Sequence, residues 1–271
     1  MKGIGIGLIV MVLSACSPNN VNIDNSLKKY FDENKVDGCF ALLDNGTGQF
    51  TIYNMPRYRD SSFVPASTFK IVNSLIGLQT GRIVNDSMVI KWDGVVRHNP
   101  EWNQDLSMYR AFRVSSFPYY QEVARRIGKD TMQSWLDSLS YGTKKITSAI
   151  DTFWLDNSLK IKPDEQLGLV KKLYFNQLPF FFKSNQETVK RAMLFENNSN
   201  YKLSYKTGWS FWNENTKKHI GWVVGWVEEN KHPYFFVLNL ESSDPDFDMW
   251  NIRMKILKDI LSQLGFLQGK M

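Results

Sequence analysis

Cysteine and histidine are scarce in this sequence, with two of the first and three of the second in 271 residues. The cysteines are Cys16 and Cys39, so a disulfide framework is excluded and the chain must hold itself together by packing. His98, His219 and His232 fall at no ligand spacing, which argues against a metal site and against a Ser-His-Asp triad. No apolar run is long enough to span a bilayer as a helix of the folded protein, and the longest, Ile4 to Leu13, is about ten residues. Lysines cluster only in pairs such as Lys144-Lys145, Lys171-Lys172 and Lys217-Lys218, without a basic stripe interleaved with aromatics, so no nucleic-acid partner is expected. Internal repeats and low-complexity tracts are also missing.

What is present is a mixed, core-rich composition: 43% hydrophobic and 14% aromatic, with a net charge of +6 from 33 basic and 27 acidic residues. That suffices for one large domain or two packed lobes. Residues 1–15 read as an export signal, with Lys2 as the basic region, the Ile4 to Leu13 run, and a close at Leu13-Ser14-Ala15-Cys16. That close resembles the bacterial lipobox, which would leave Cys16 lipidated; the alternative is an ordinary cleaved signal peptide. Either places the mature protein outside the cytoplasm, on the periplasmic side and, with the lipid, anchored to a bacterial membrane. Residues 16–24 then form a tether, and 25–271 a single domain.

Along that domain, Asn25 to Asn34 suits a helix. Cys39 to Leu43 and Gln49 to Tyr53 suit strands around an Asn45-Gly46 turn. Cys39 reads as a buried strand residue and not a nucleophile. Helical spacing of Phe69, Val72, Leu75 and Ile76 predicts a helix between Pro65 and Gly81. Residues 82–112 read as irregular connections. Helices are expected over Tyr119 to Ile127, to Leu139 with Asp130 as cap, from Pro163, and to Phe195 with a Ser184/Glu187 capping box. Tyr201 to Tyr205, Gly221 to Val227 and Tyr234 to Leu240 read as a three-stranded meander, followed by an amphipathic helix from Asn251 to Leu264. Strands at both ends and helices between predict an α+β sandwich. Its one antiparallel sheet (about 25–64 and 197–271) is flanked by the terminal helices, and an all-helical lobe (about 65–196) is inserted.

Two short motifs carry chemistry. Ser67 and Lys70 stand about one turn apart, so both project from one face of the predicted helix. Ser67 lies in the first turn, where free N–H groups and the helix dipole favour negative charge, and Lys70 is placed to serve as its base. Lys206-Thr207-Gly208 follows a strand; an ammonium and a hydroxyl suit an anionic substrate, and the glycine admits close backbone approach. Each motif alone is short enough to arise by chance. Together, in an exported chain, they are the pair found in serine β-lactamases and penicillin-binding proteins.

The likeness extends to Lys91-Trp92-Asp93-Gly94, Pro100-Glu101-Trp102-Asn103-Gln104-Asp105, Tyr120-Gln121-Glu122, Ala124-Arg125-Arg126-Ile127-Gly128 and Phe153-Trp154-Leu155. On these residues the chain resembles the class D β-lactamases, or oxacillinases, from about Gly38 to the last helix. The resemblance implies a β-lactamase/transpeptidase-like fold with the site between the lobes, and β-lactam antibiotics as substrates. It implies Ser67 as nucleophile and Lys70 as base after reaction with CO2 (or bicarbonate), with no bound cofactor. It implies Trp154 as donor to that carbamate, Ser115 as proton relay, and Lys206, Thr207 and Arg253 on the substrate carboxylate. Backbone N–H groups of Ser67 and Trp209 would make the oxyanion hole. The second motif departs from the family pattern, since Ser115-Ser116-Phe117 replaces Ser-x-Val and adds bulk beside the carbamate. Tyr141-Gly142-Thr143 replaces Tyr-Gly-Asn in a segment expected to line the site. Loop shape near Trp102, Met108 and Trp209 is expected to set which β-lactams fit.

Two other functions compete. A β-lactam sensor, or a penicillin-binding protein, would acylate and stay acylated; the sensors carry long membrane-spanning segments and a signalling module that this sequence does not display. A surface lipoprotein that kept the fold and lost the chemistry is disfavoured by the intact Ser67, Lys70 and Lys206. No protein partner is evident.

Overall fold

A computed structural model describes residues 20–213 and 217–268. The export signal at 1–15 and the proposed lipidation site at Cys16 lie outside these residues. In chain order the elements are β1 (Val21–Ile23), α1 (Lys28–Glu33), β2 (Asp37–Asp44), β3 (Phe50–Tyr53), α2 (Met55–Asp60), α3 (Lys70–Gln79), β4 (Val89–Ile90), β5 (Leu106–Ser107), α4 (Met108–Arg113), α5 (Phe117–Ile127) and α6 (Lys129–Leu139). Then come α7 (Pro163–Tyr174), α8 (Lys183–Met193), β6 (Leu194–Asn197), β7 (Lys202–Asn213), β8 (Lys218–Glu229), β9 (His232–Ser242) and α9 (Met249–Gln263).

Seven strands form one sheet in the order β1-β3-β2-β9-β8-β7-β6. Alternation sends side chains of the central strands to opposite faces, and both faces are covered. Cys39, Ala41 and Leu43 of β2, with Trp222 and Val224 of β8, join the core of the helical lobe. Phe40 and Leu42, with Val223 and Val227, pack against α1 and α9. Gly221 lets α9 come close, since a Cβ there would sit 2.1 Å from Met249 Sδ. Cys39 is fully buried, and burial pushes its thiol pKa up to about 12, which fits a packing residue.

Several expectations need correction. The tether does not extend to residue 24, because Val21–Ile23 pair with Phe50–Ile52 as a strand of the domain. That pairing is parallel, so the sheet is mixed and not wholly antiparallel. β6 begins at Leu194, three residues before the expected return to the sheet, and α2 is a helix of the sheet lobe that the sequence reading left unassigned. The Ser184/Glu187 box is not formed, because α8 already starts at Lys183 after Phe182. Asp130 sits inside the first turn of α6, with Gly128 as cap. The 82–112 stretch holds β4, β5 and the start of α4.

Candidate active site

The segment around Ser67 is a 3-10 turn, Ala66–Phe69, that runs directly into α3. It is pinned from three sides. Ala66 N–H donates to Trp154 O at 3.0 Å, Trp222 Nε1 donates to Val64 O at 2.9 Å, and Thr68 N–H donates to Pro65 O at 3.2 Å. Ala66 holds φ 50°, a left-handed value disfavoured for a residue with a Cβ, so the surrounding bonds maintain a strained entry to the turn.

Lys70 Nζ donates to Ser67 Oγ at 2.7 Å, as the S-x-x-K spacing predicts. Lys70 is 1% exposed, and burial lowers its pKa from 10.5 to about 7. Trp154 is fully buried and stacks on Phe69 with ring centroids 5.5 Å apart. Its indole Nε1 is buried without an acceptor among the described residues. A buried N–H left this way costs about 1–3 kcal/mol.

Ser115 lies in the turn between α4 and α5 at φ 54°, like Ala66 a left-handed residue held by its neighbours. Its N–H donates to Phe112 O at 3.2 Å, and the next N–H, of Ser116, donates to Ala111 O at 2.8 Å. The third element is β7. β8 pairs it along its length, whereas β6 pairs only Lys202 to Ser204, so beyond that point the other edge of β7 faces the Ser67 turn. Gly208 permits the approach: a Cβ there would lie 3.0 Å from Pro65 O and 3.1 Å from Thr68 Cγ2. Lys206 Nζ donates to Ser115 Oγ and to Thr207 O, both at 3.0 Å.

Arg253 of α9 is 3% exposed and donates through Nη1 to Gly208 O at 2.8 Å. Burial lowers its pKa to about 10, so it stays cationic at neutral pH. Lys206 is held well below the ordinary lysine range by burial first, then by Lys70 and Arg253. Three basic groups thus crowd one buried region, and its cost falls when an anion enters.

Ser67, Ser115, Thr207, Trp209 and Arg253 line one cavity of about 380 Å³, whose wall is rich in aromatics, among them Trp102, Phe117, Phe211 and Trp250. Arg253 is the one charged residue among the described lining residues, which contain no carboxylate. Lys70, Lys206 and Gly208 bond to these lining residues, Trp154 packs against Phe69, and Cys16 lies outside the described residues. Two expectations shift. Met108 is fully buried in the core and does not shape the mouth. Tyr141-Gly142-Thr143 stands behind the nucleophile, with Tyr141 edge-on to Phe69 at 5.6 Å and Thr143 N–H donating to Lys160 O at 2.8 Å. His98, Phe117, Leu155, Phe211 and Trp250 join the cavity from five separate segments. His98 and Trp250 carried no local signal of a role in the site, whereas Phe211, close behind Lys206-Thr207-Gly208, could be read either as substrate-facing or as packing.

The chain that carries this geometry is similar to known proteins of one kind. The penicillin binding protein transpeptidase domain matches residues 38–262. Beta-lactamase OXA-48 of Klebsiella pneumoniae is 38% identical over 240 residues, covering 89% of this chain and 88% of its own. The crystal structure of FUS-1 (OXA-85), a class D β-lactamase from Fusobacterium nucleatum subsp. polymorphum, superposes with a TM-score of 0.84 at 35% identity, covering 91% of this chain and all of that one. The C-terminal domain of the Bacillus licheniformis BlaR penicillin receptor superposes with a TM-score of 0.83 at 33% identity, over 90% of this chain and 96% of its own.

Proposed function

We propose that this chain, which belongs to the class D β-lactamases within the penicillin-binding-protein transpeptidase family, hydrolyses β-lactams through an acyl-enzyme on Ser67 with Lys70 as the seat of the general base. The observation that carries this reading is a buried lysine 2.7 Å from a serine hydroxyl, with its pKa lowered to about 7. About half of such lysine is neutral at that pH, so its lone pair is available.

Ser67 Oγ attacks the lactam carbonyl carbon and gives up its proton toward Lys70. The carbonyl oxygen becomes anionic and accepts from the backbone N–H groups of Ser67 and Trp209; losing one such donor typically costs about 3–4 kcal/mol of transition-state stabilisation. The C–N bond then breaks. The lactam nitrogen takes its proton from Ser115 Oγ–H, since Lys206 Nζ occupies a lone pair of that oxygen and leaves the hydroxyl proton free to be donated; the proton that Lys70 took from Ser67 then replaces it on Ser115. Thr207, Lys206 and Arg253 hold the substrate carboxylate in the carboxylate-free cleft. In deacylation, water gives a proton to the base at Lys70 while its oxygen attacks the ester carbonyl, and the base returns that proton to Ser67 Oγ as the ester C–O bond breaks.

CO2, on adding to neutral Lys70 Nζ with loss of one proton, supplies a carbamate anion as that base. The residues fit such a group. The pocket favours the neutral amine that the addition needs, and the partnerless Nε1–H of Trp154 is a donor suited to the anion. We also propose that Cys16 carries lipid and holds the protein to a membrane on the periplasmic side, from the Leu13-Ser14-Ala15-Cys16 close. Fatty-acid labelling that persists in Cys16→Ser would overturn this.

A second reading is a receptor that acylates and stays acylated, favoured by the fit to the BlaR domain. Turnover of nitrocefin with and without bicarbonate separates the two. Sustained turnover that rises with bicarbonate, together with a carbamate signal from labelled bicarbonate in the ¹³C NMR spectrum, is expected. One stoichiometric burst without turnover would establish the receptor instead.

A further inference from the structure

The geometry points to His219 as a positioning residue that sets the substrate-facing wall of the cleft through Trp209. This rests on the reading above that the cavity lined by Trp209 holds the bound lactam. His219 belongs to β8, opposite Ser242 of β9, and is 3% exposed. Trp209 Nε1 lies 3.2 Å from His219 Nδ1, and His219 Nε2 lies 3.0 Å from Pro245 O. An indole nitrogen can only donate and a carbonyl can only accept. Nδ1 must therefore be the acceptor and Nε2 must carry the ring proton, so a single neutral tautomer satisfies both bonds.

That imidazole joins two walls. On one side is β7, whose Trp209 lines the cavity and packs on Phe211 with centroids 4.4 Å apart. On the other is the turn after β9, in which Asp244 N–H donates to Ser242 Oγ at 3.2 Å and Phe247 N–H to Asp244 O at 3.2 Å. The turn leads into α9, which brings Trp250 and Arg253 to the same cavity. The main chain of Trp209 is fixed separately, by pairing with Gly221. His219 therefore governs where the indole rests, and not where the backbone N–H points. Its loss should weaken substrate binding while leaving the bond-making steps largely intact.

Two amide variants divide the two bonds. In His219→Asn the side-chain oxygen takes the place of Nδ1 and keeps the acceptor for Trp209; in His219→Gln the longer amide keeps the donor to Pro245 and gives up that acceptor. With nitrocefin, His219→Gln is expected to raise KM about five- to tenfold with kcat within twofold, and His219→Asn to hold KM within twofold of wild type. Trp209→Phe, which lacks the N–H, should show the same rise in KM, and adding His219→Gln to it should change nothing more. Equal KM values in the two amide variants, a wild-type KM in His219→Gln or Trp209→Phe, or additive effects in the double variant would each overturn the assignment. If His219→Gln does not fold, Trp209→Phe decides the matter from the other end of the bond. Wild-type turnover measured alongside keeps the questions apart: its absence defeats the hydrolase reading, whereas turnover with unaltered variants defeats only this one.

Discussion

Lys206 Nζ lies 3.0 Å from Ser115 Oγ and orients that hydroxyl by occupying one of its lone pairs. The two side chains come from opposite lobes, 91 residues apart, so the bond also fixes the width of the cleft. If they work as a unit, Ser115→Ala and Lys206→Ala should each lower the acylation rate by about 10²–10⁴-fold. The double variant should be little worse than either single one. Stopped-flow acylation by nitrocefin measures this, and fully multiplicative losses would show independent roles.

The lowered pKa of Lys70 gives two pH effects with a defined sign. Only the neutral amine adds CO2, so at equal dissolved CO2 the carbamylated fraction should rise as pH increases through about 7, and activity with it. At pH 6 only about a tenth of the lysine is neutral. A bicarbonate titration of kcat at pH 6 and pH 8 tests this; equal dependence at both would sink it.

Stability should respond in the same direction. Between about 7 and 10.5 the unfolded chain holds a proton on Lys70 that the native state has lost, so stability rises with pH across that window. The full penalty, about 1.4 kcal/mol for each unit of displacement, is present below pH 7. Without bicarbonate, Lys70→Met should therefore raise Tm, and by more at pH 6 than at pH 9. It should also abolish turnover.

Trp154→Phe keeps most of the ring contact with Phe69 and deletes the N–H. Deacylation should slow by about 10-fold or more, acylation by less, and the bicarbonate needed for half-maximal activity should increase. Matching losses in both half-reactions would assign Trp154 another task.

Gly208→Ala should open the contact between β7 and the Ser67 turn, because the new methyl would press on Pro65 O, Thr68 and Trp222 at about the limit of contact. An acylation rate lower by about 10-fold, with only a modest fall in Tm, is expected. An unchanged rate would mean that the two segments adjust freely.

Phe117 lies on the cavity wall where the family carries valine. Phe117→Val should speed deacylation several-fold by opening space for water, read as a higher kcat with an unchanged acylation rate. A slower kcat would show that the ring helps to exclude competing solvent.

Local pattern reveals what local interactions determine. Ser67 and Lys70 are one helical turn apart, so their pairing is legible in the sequence, as are α7 with its proline start and the β7–β9 meander. β1 was not legible: its three residues are two-thirds exposed in pattern and take their conformation from β3. The 3-10 geometry at Ser67 depends on bonds from Trp154 and Trp222, far along the chain. His219 looked like one of three scattered histidines, because Trp209 and Pro245 reach it only after strands pair. Met108 looked like a loop residue, and only the packed lobe shows it as core.

The strand order carries one more consequence. The chain enters the domain at β1, where Asn20 O accepts from Phe50 N–H, on one margin of the sheet, and the cleft opens beside β7 near the other. At about 4.8 Å per strand, the entry point and the cleft are separated by roughly 24 Å across the sheet. A molecule leashed by its leading end would thus be gripped at the margin remote from its mouth, and incoming drug would meet an opening that the leash does not shade.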